Sequence, residues 1–378
     1  YDLTELQRHA NRLYGLTAKK TLDLAQALYE RKKLISYPRT DSRHLSKTVA
    51  EALPAIVAAI RGRYEGKVAP GTGEKPLGKR YVDDARVTDH HAILPTDTSP
   101  ERVSLSADEA RIYDLVCRRV LMAWHPDLRV SSTTVVTTVE TDAIVDRYRS
   151  VGTRVDRPGW KVLDIETTSS KRAKDAAADL PPGLTEGAAC RVDDARAERK
   201  TTRPPRRFTE ATLLTAMETA GKQVDDRELS EAMRERGLGT PATRAGILET
   251  LIAREYIARQ KKSLVVTDKG VRLIEVVHPA VKSPQMTGEW EWKLEQIRRG
   301  EARLDVFLGQ IERYVREVVD SVRDSPGNDA EPAAATPDNG RPARPAERVA
   351  ARTPDEAVAT LEPMLRERFG HADFRPYQ

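Results

Sequence analysis

One tyrosine of this chain stands in a context that could support nucleophilic chemistry. Residues 34–42 read LISYPRTDS, so a short apolar run delivers Tyr37 into a Pro-Arg-Thr-Asp-Ser turn with Arg39 two residues later. A free phenol, with a pKa of about 10, is a weak nucleophile at neutral pH, but a nearby guanidinium favours the phenolate and neutralises charge on an attacked phosphate. Two interpretations stand side by side: a half-buried tyrosine at a strand end, and a nucleophile whose phosphotyrosine bond is reversible without ATP.

A pair of histidines follows in the segment VTDHHAILPT at residues 87–96. Neighbouring side chains of an extended segment point to opposite faces, so His90 and His91 are poorly placed to bind one metal ion. One histidine directed at a phosphate is easier to build, and polar histidines on a surface loop are the alternative.

The segment RGLGTPATR at residues 236–244 predicts a helix start that could bind an anion. Its two glycines loosen a turn, Thr240 can cap the helix, and Pro241 suits the first helical position. Free N–H groups and the helix dipole at such a start attract phosphate, and Thr243 and Arg244 add side-chain donors. A well-capped helix without a ligand is the alternative that spacing alone leaves open.

Clustered carboxylates, which metal-dependent phosphoryl chemistry requires, are not evident in the sequence. No Asp-x-Asp motif occurs, and the adjacent aspartate pairs have the surroundings of loops or turns. If the chemistry needs Mg²⁺, this chain does not visibly supply the site.

Composition restricts the class of protein. The chain has 378 residues, of which 39% are hydrophobic and 32% charged, as expected for two or three globular domains. No apolar run approaches the length of a membrane span and no secretory signal opens the chain, so we expect no membrane partner. Cys117 and Cys190, the only cysteines, exclude a disulfide scaffold and a cysteine zinc site within this stretch and suit a reducing cytoplasm.

The charge balance leaves the partner open. The net charge is +5 and the pI about 9.1, but basic residues cluster in ERKTTRPPRRFTE at residues 198–210. Such a run is either a solvated loop or a surface that faces phosphates. The chain opens on Tyr1 rather than Met and already has a helical pattern there, from which we expect a piece of a longer protein.

Apolar periodicity predicts helices in the first third of the chain. Residues 17–31 carry apolar side chains at helical spacing, and Ser46 is a suitable N-cap for a helix that Pro54 should bend or split. Residues 61–85 are predicted to be a loop, and residues 111–124 a further amphipathic helix.

The pattern then changes to that of strands. Residues 129–140 are rich in Thr and Val, and the segments RYRSVGTRV (147–155), GWKVLDIE (159–166) and GAACRVDDARAERK (187–200) continue the pattern. We therefore predict a β-rich segment over about residues 129–200.

Helical periodicity returns from Phe208. The order of patterns in residues 236–277 predicts helix, two-stranded wing and helix, a winged-helix-like unit. Residues 323–352, dominated by Pro, Ala, Arg and Asp, are predicted to be a disordered linker. Thr353 then opens a capping box with Pro354 at the first helical position, which predicts the start of a new domain.

Seven segments occur in one order over about residues 1–320: YDLTELQRHAN, TLDLAQALYE, LISYPRTDS, DHHAILPT, PGW, PPRRFTEATLLTAMETAGK and GLGTPATRAGILETL. Together they resemble the type IA DNA topoisomerases, and the topoisomerase III-like branch fits best. The resemblance implies an isomerase that cuts one DNA strand through a 5′-phosphotyrosine, passes a strand and reseals the cut without ATP.

The resemblance also implies roles for single residues. Tyr37 would be the nucleophile, Arg39 the family's arginine beside it, and His90 the histidine that contacts DNA near the site. Residues 240–243, with Thr240, Thr243 and Arg244, resemble part of the single-strand DNA groove. Arg43 is a further candidate for DNA binding.

The same resemblance implies groups that this sequence does not contain. In the family a Toprim domain with acidic residues comes first and binds Mg²⁺, so we expect no metal bound by this chain and half of the active site to be missing. Single-stranded DNA and the Toprim domain are the expected partners, in a cytoplasmic, nucleoid-associated protein. LRERFGHADFRPYQ (365–378) resembles the start of RecQ-like helicases, which implies a fused helicase and an ATP contact for Gln378.

The predicted fold class is α+β. A helical domain with the nucleophilic tyrosine is expected at 1–128, a β-rich gate segment at 129–200 and a helical, winged-helix-like domain that binds single strands at 201–322. The disordered linker at 323–352 precedes the start of a helicase-like domain at 353–378.

Two other classes of protein explain the sequence less completely. A non-enzymatic winged-helix DNA-binding protein accounts for residues 208–278 but not for Tyr37 beside DHHAILPT. A relaxase would want metal-binding histidines separated by an apolar residue. A tyrosine recombinase would place its tyrosine after its arginine and histidine residues, whereas Tyr37 comes first.

Overall fold

The computed structural model describes most of residues 1–323. The residues outside this description are 88, 141–144, 166–179, 181–182, 195–200, 203, 224–232, 234–236 and 324–378. Residues 1–322 form one compact unit. The predicted linker, the helix expected from Thr353 and Gln378 lie outside the described residues, and the domain boundaries at 128 and 200 stay predictions.

Five helices build the first part of this unit. They are α1 Leu3–Tyr14, α2 Ala18–Glu30, α3 Lys47–Glu51, α4 Leu53–Ile60 and α5 Ala107–Leu121. The side chains of Asp2, Thr17 and Ser46 cap the starts of α1, α2 and α3, which satisfies N–H groups that have no partner within the helix. Pro54 stands in the first turn of α4, so the predicted split of this helical segment is confirmed.

An apolar core forms where α1, α2 and α5 meet the extended segments around residues 35 and 94. Ser36 N–H donates to the Leu94 carbonyl at 2.8 Å, and Thr96 N–H donates to the Leu34 carbonyl at 2.9 Å. Fully buried side chains of this core include Leu6, Leu28, Leu34, Ile93, Ile112, Tyr113 and Leu163. Each such side chain contributes about 1.5–3 kcal/mol through burial, so the segment that carries Tyr37 starts from a rigid base.

A long antiparallel hairpin follows, as predicted. Strands β1 Arg129–Glu140 and β2 Val145–Arg157 pair with Val135 opposite Ser150, and most of their side chains are exposed. This hairpin confirms the first two of the four predicted strand segments.

The third predicted strand, GWKVLDIE, is wrong over its described part. Gly159–Leu163 form a short 3-10 helix. Gly159 has φ of 53°, and a Cβ there would lie 2.3 Å from the Pro126 carbonyl oxygen, so the turn requires glycine. Leu163 is fully buried in the helical core, and this burial overrides the local strand pattern.

The fourth predicted strand is also wrong where it is described. Residues 187–194 contain no strand and are exposed, and residues 195–200 lie outside the description. The continued strand pattern predicted a strand here, but the described segment pairs with no described strand.

The second part of the unit contains six helices and a short hairpin within its described residues. They are α6 Glu210–Glu218, α7 Pro241–Ala253, β3 Ile257–Gln260, β4 Ser263–Val266, α8 Asp268–Val276, α9 Pro279–Lys282, α10 Pro284–Arg298 and α11 Leu304–Arg323. The predicted order of helix, hairpin and helix is therefore present in α7, β3, β4 and α8. Assignment of this order to a winged-helix domain stays a prediction.

Helices α6 and α7 pack directly on α1 and α2. An apolar cluster joins Ala18 of α2 to Leu214 of α6, Leu248 of α7 and Leu264 of β4. Glu210, only 4% exposed, accepts from the Ala18 N–H at 2.7 Å and thereby anchors the start of α2 to the start of α6. The helices that frame Tyr37 are thus fixed to the second part of the chain.

Within the described residues, no helix is both long enough and apolar enough to cross a lipid bilayer.

Candidate active site around Tyr37

Tyr37 lies at the end of the core segment, where the backbone leaves its pairing with residues 94–96. Its side chain is half-buried, and its ring meets the edge of the Tyr29 ring, with centroids 5.5 Å apart. On another side the imidazole of His90 lies 4.4 Å away, centroid to centroid. The Tyr37 hydroxyl makes no hydrogen bond to a described residue, so it is available to a ligand.

The turn after Tyr37 is held from three directions. Pro38 is buried, the Thr40 hydroxyl donates to the His90 carbonyl at 3.0 Å, and the Leu3 N–H donates to the Thr40 carbonyl at 3.0 Å. The Thr40 hydroxyl also accepts from the Ser42 N–H at 3.0 Å, a local bond typical of turns. The turn therefore brings Tyr37 and His90 together through backbone contacts that do not depend on the two rings.

Arg39 is positioned by helix α2. Its Nη2 donates to Gln26 Oε1 at 2.9 Å, and Gln26 Nε2 in turn donates to Glu30 Oε1 at 2.7 Å. No described carboxylate forms an ion pair with Arg39. Its positive charge is therefore oriented yet not neutralised, which is the state required of a group that binds phosphate.

Arg43 differs from Arg39 because carboxylates already surround it. Its Nε donates to Asp2 Oδ2, and its Nη2 lies 3.5 Å from Glu218 Oε1. Burial disfavours its charged form, but Asp2 and Glu218 outweigh this and raise the pKa of Arg43 above its ordinary value. Glu218 also binds Arg8 of α1. The prediction that Arg43 binds DNA remains, but its charge is largely used within the protein.

The predicted helix start at Thr240 is present. Pro241 occupies the first turn of α7, Thr240 and Thr243 are exposed, and the Thr243 hydroxyl accepts from the Thr240 N–H at 2.9 Å. The turn before the helix requires glycine, because a Cβ on Gly237 would lie 2.4 Å from the Met217 carbonyl oxygen. An exposed helix start with two hydroxyls fits the predicted phosphate contact.

Arg244 does not fit the prediction of a free donor for DNA. It is only 2% exposed, and its guanidinium donates to the Leu238 carbonyl at 3.1 Å, the Gly239 carbonyl at 3.0 Å and the Thr4 hydroxyl at 3.0 Å. Burial lowers its pKa, with Glu218 working in the opposite direction. Helical spacing turns Arg244 inward, where it ties the start of α7 to the start of α1.

The described residues do not supply a metal site. No group of three or more His, Cys, Asp or Glu side chains within them is arranged to hold an ion. His90 is exposed and its ring lies tilted against Tyr37, while His91 Nδ1 lies 2.7 Å from the Ala92 carbonyl, so the pair does not converge. The described residues therefore do not fit Mg²⁺, and the expectation that a Toprim domain binds the ion stays a prediction.

Three neighbours of the site escaped the sequence analysis. Gln26 and Tyr29 lie one turn apart on α2 and face the Tyr37 turn, and Thr40 links that turn to His90. The spacing of three between Gln26 and Tyr29, just before the segment LIS, was the available signal. Only the folded chain reveals that this helix face meets the turn.

Known proteins match the chain over most of its length. The family described as DNA topoisomerase matches residues 1–308, and similar proteins are named DNA topoisomerase 3. The chain belongs to the type IA DNA topoisomerase family.

Among its relatives, DNA topoisomerase 3 of Bacillus thuringiensis (strain Al Hakam) is 37% identical over 332 residues, which cover 86% of this chain and 45% of that protein. DNA topoisomerase 3 of Bacillus subtilis (strain 168) is 36% identical over 338 residues, with the same shares covered. The chain thus spans about half the length of the curated relatives that it matches.

A solved structure supports the fold alone. The full-length topoisomerase I from Thermotoga maritima superposes with a TM-score of 0.60 at 23% identity, covering 86% of this chain and 50% of that chain. The mixed helical and sheet architecture is therefore that of a type IA topoisomerase.

Proposed function

We propose that this chain carries the tyrosine side of a type IA strand-cleavage site and acts on single-stranded DNA. The observation that carries the proposal is the half-buried Tyr37, whose hydroxyl bonds to no described residue, against the His90 ring and two residues before the oriented charge of Arg39. Family membership supplies the reaction class, and this geometry supplies the residues.

The proposed cleavage is a transesterification, in which one phosphodiester bond replaces another and no bond is hydrolysed. The Tyr37 oxygen forms a bond to the scissile phosphorus as the bond from phosphorus to the 3′ oxygen breaks. The phenol gives up its proton and the departing 3′ oxygen gains one, so atoms and charge balance. Reversal by that 3′ hydroxyl, after strand passage, reseals the strand without ATP.

Each neighbouring residue has a defined part in this proposal. Arg39 offsets charge on the attacked phosphate, because its guanidinium has no carboxylate partner among the described residues. His90 holds the Tyr37 ring and offers a ring nitrogen to the same phosphate. Thr240 and Thr243 bind a backbone phosphate at the start of α7, and Arg244 acts as a positioning residue beneath them.

The remaining chemistry is proposed to lie beyond this chain. The chain covers 45% of the length of the relative from Bacillus thuringiensis. We therefore assign the acidic Toprim groups and their Mg²⁺ to the rest of the full-length protein. Such an ion would supply charge stabilisation at the phosphate. The fused helicase and the ATP contact of Gln378 are also proposals, on residues outside the described part.

Replacement of Tyr37 by phenylalanine tests the proposal in the full-length protein. A 3′-labelled single-stranded oligonucleotide reports the covalent adduct, since the fragment 3′ to the cut carries the phosphate that joins tyrosine. We expect Tyr37→Phe to abolish the adduct and to leave equilibrium binding within about twofold. The matched control is Tyr29→Phe, which removes a hydroxyl from the neighbouring ring and should keep the adduct. Adducts that persist in Tyr37→Phe, or binding without any adduct in the wild type, would overturn it.

A further inference from the structure

A basic surface lies on the β3–β4 hairpin, outside the site described around Tyr37. The Leu264 N–H of β4 donates to the Phe208 carbonyl at 2.7 Å, so the segment before α6 runs along the hairpin. Arg206 and Arg207 directly precede Phe208, and Lys261 and Lys262 form the turn between the strands. These five residues, Arg206, Arg207, Phe208, Lys261 and Lys262, are called the hairpin patch.

The four cations of the hairpin patch lie close together. Each lies within three residues of Leu264 or Phe208, whose backbones are joined by a hydrogen bond. Three residues of extended backbone span at most about 10 Å. All four are exposed, and none forms an ion pair with a described carboxylate. Within the described part of the chain, no ion pair neutralises these exposed charges.

Nearby acidic side chains are already engaged. Glu249 accepts from Arg259 at 2.5 Å, and Glu210 accepts from the same guanidinium at 2.7 Å. Glu255 lies 3.9 Å from Lys269. These three acids are thus paired with cations outside the patch, and none of them forms an ion pair with a cation of the patch.

Phe208 adds an apolar face to this charge. Its side chain is 51% exposed although its carbonyl is fixed by the hairpin, so the ring is held at the surface instead of in the core. Arginines beside an exposed aromatic ring are the combination that single-stranded nucleic acids use, with phosphates on the cations and a base on the ring. An acidic protein segment would gain nothing comparable from the ring.

The patch lies within reach of a strand bound at Tyr37. A Cβ on Gly15 would lie 3.9 Å from Lys262 Cε, so the hairpin turn abuts the turn that opens α2. From Ala18 to Tyr29, which contacts Tyr37, α2 advances about 16 Å at 1.5 Å per residue. This is about five nucleotides at the 3.4 Å spacing of stacked bases.

We propose that the hairpin patch is an accessory binding site for single-stranded nucleic acid, with phosphates on its four cations and a base stacked on Phe208. The assignment of the strand to DNA that flanks the cleavage site rests on the proposed function. Binding itself requires neither Tyr37 nor strand cleavage, so the two proposals fail separately.

The test compares two variants of this chain with the same change in charge. One carries Arg206→Gln, Arg207→Gln, Lys261→Gln and Lys262→Gln. The control carries Arg272→Gln, Lys282→Gln, Arg313→Gln and Arg316→Gln, which are exposed and form no ion pair with described residues. Fluorescence anisotropy with labelled oligothymidylates of about 6 and 15 nucleotides, over a series of salt concentrations, reports affinity and its salt dependence.

We expect the patch variant to bind the longer oligonucleotide at least about tenfold more weakly than the control. Its slope of log affinity against log salt should fall by about 3, as for four lost phosphate contacts on a single strand. The wild type should gain affinity from the added length, and the patch variant should lose most of that gain. Phe208→Ala should weaken binding about fivefold to tenfold with little change in the salt slope, and Phe208→Leu should not restore it.

Equal affinities and slopes for the patch variant and the control would overturn the proposal. Competition by polyglutamate that is as effective as competition by unlabelled oligonucleotide would also overturn it, in favour of an acidic protein partner. Urea unfolding midpoints equal to that of the wild type show that the variants are folded. If the variant with four glutamine substitutions in the patch is not folded, Phe208→Ala offers a second test. Absence of adducts in the wild-type full-length protein, with patch binding intact, would instead contradict the proposed function and leave this proposal standing.

Discussion

The imidazole of His90 lies against the phenol ring of Tyr37, with centroids 4.4 Å apart and the ring planes at 49°. The contact joins two distant segments, and the bond from the Thr40 hydroxyl to the His90 carbonyl fixes it from behind. Because the backbone sets this approach, a substitution of the His90 side chain should change the chemistry of the site more than its shape.

Two substitutions separate the ring of His90 from its nitrogens. We expect His90→Ala and His90→Phe both to reduce the rate of adduct formation in the full-length protein by about tenfold or more, since neither offers a nitrogen to the phosphate. Single-turnover cleavage of a 3′-labelled oligonucleotide measures this rate. Recovery of the wild-type rate in His90→Phe would show that the residue only packs against Tyr37.

Gln26 should act on cleavage through Arg39. Gln26→Ala removes the acceptor that orients the guanidinium, so we expect cleavage to slow severalfold with unchanged oligonucleotide affinity. Gln26→Glu keeps an acceptor oxygen but adds a charge that neutralises Arg39, so it should slow cleavage at least as much.

Arg39→Lys should retain more cleavage than Arg39→Ala, because it keeps the charge but loses the planar fork. Equal rates in wild type and all four variants would reduce Arg39 to a turn residue.

Local signals in the sequence predicted the parts of the site that local structure builds. The LISYPRTDS pattern gave the segment and turn around Tyr37, and the motif at residues 236–244 gave the start of α7 with Thr240 as cap and Pro241 in the first turn. These features depend on backbone preferences of a few adjacent residues, which the sequence carries directly.

Features that depend on distant contacts were missed. Arg244 has the sequence surroundings of a surface donor, yet it is buried, and in addition to two local carbonyls it donates to Thr4, far away in the chain. Residues 159–163 form a 3-10 helix and not the predicted strand, because Leu163 is buried in a core built by helices from other segments. In both cases packing decides between conformations that the local pattern leaves open.

Glu210 should contribute more to the free energy of unfolding than its ion pair with Arg259 alone would. It accepts from both the Ala18 N–H and Arg259 while 4% exposed, so Glu210→Ala leaves the buried Ala18 N–H without this acceptor and removes one of the two carboxylates that pair with Arg259. We expect a loss of about 2–4 kcal/mol in the free energy of unfolding, measured by urea denaturation. Glu210→Gln should cost less, because its amide oxygen still accepts from Ala18. The control is Glu249→Ala, which removes a more exposed partner of the same arginine and should cost about 1 kcal/mol or less. Equal losses for the two alanine variants would contradict the prediction.

His9 should make the stability of the chain sensitive to mild acid. Burial, together with the charges of Arg119 and Arg12, lowers its pKa from 6.5 to about 4, and its Nδ1 lies 2.5 Å from the Tyr1 hydroxyl. The unfolded chain therefore binds a proton at a pH where the folded chain does not, so stability is constant above about pH 6.5 and falls as the pH drops from there towards 4.

Between pH 7 and pH 5, with allowance for the partial exposure of the ring, we expect His9 to account for about 1–2 kcal/mol of lost stability. His9→Asn keeps an acceptor for Tyr1 but does not titrate, so urea denaturation should show a smaller loss in this variant than in wild type over the same range. His278→Asn, a matched change outside this cluster, should decline as steeply as wild type. A decline in His9→Asn that equals that of wild type would mean that His9 is protonated in the folded chain as readily as in the unfolded chain.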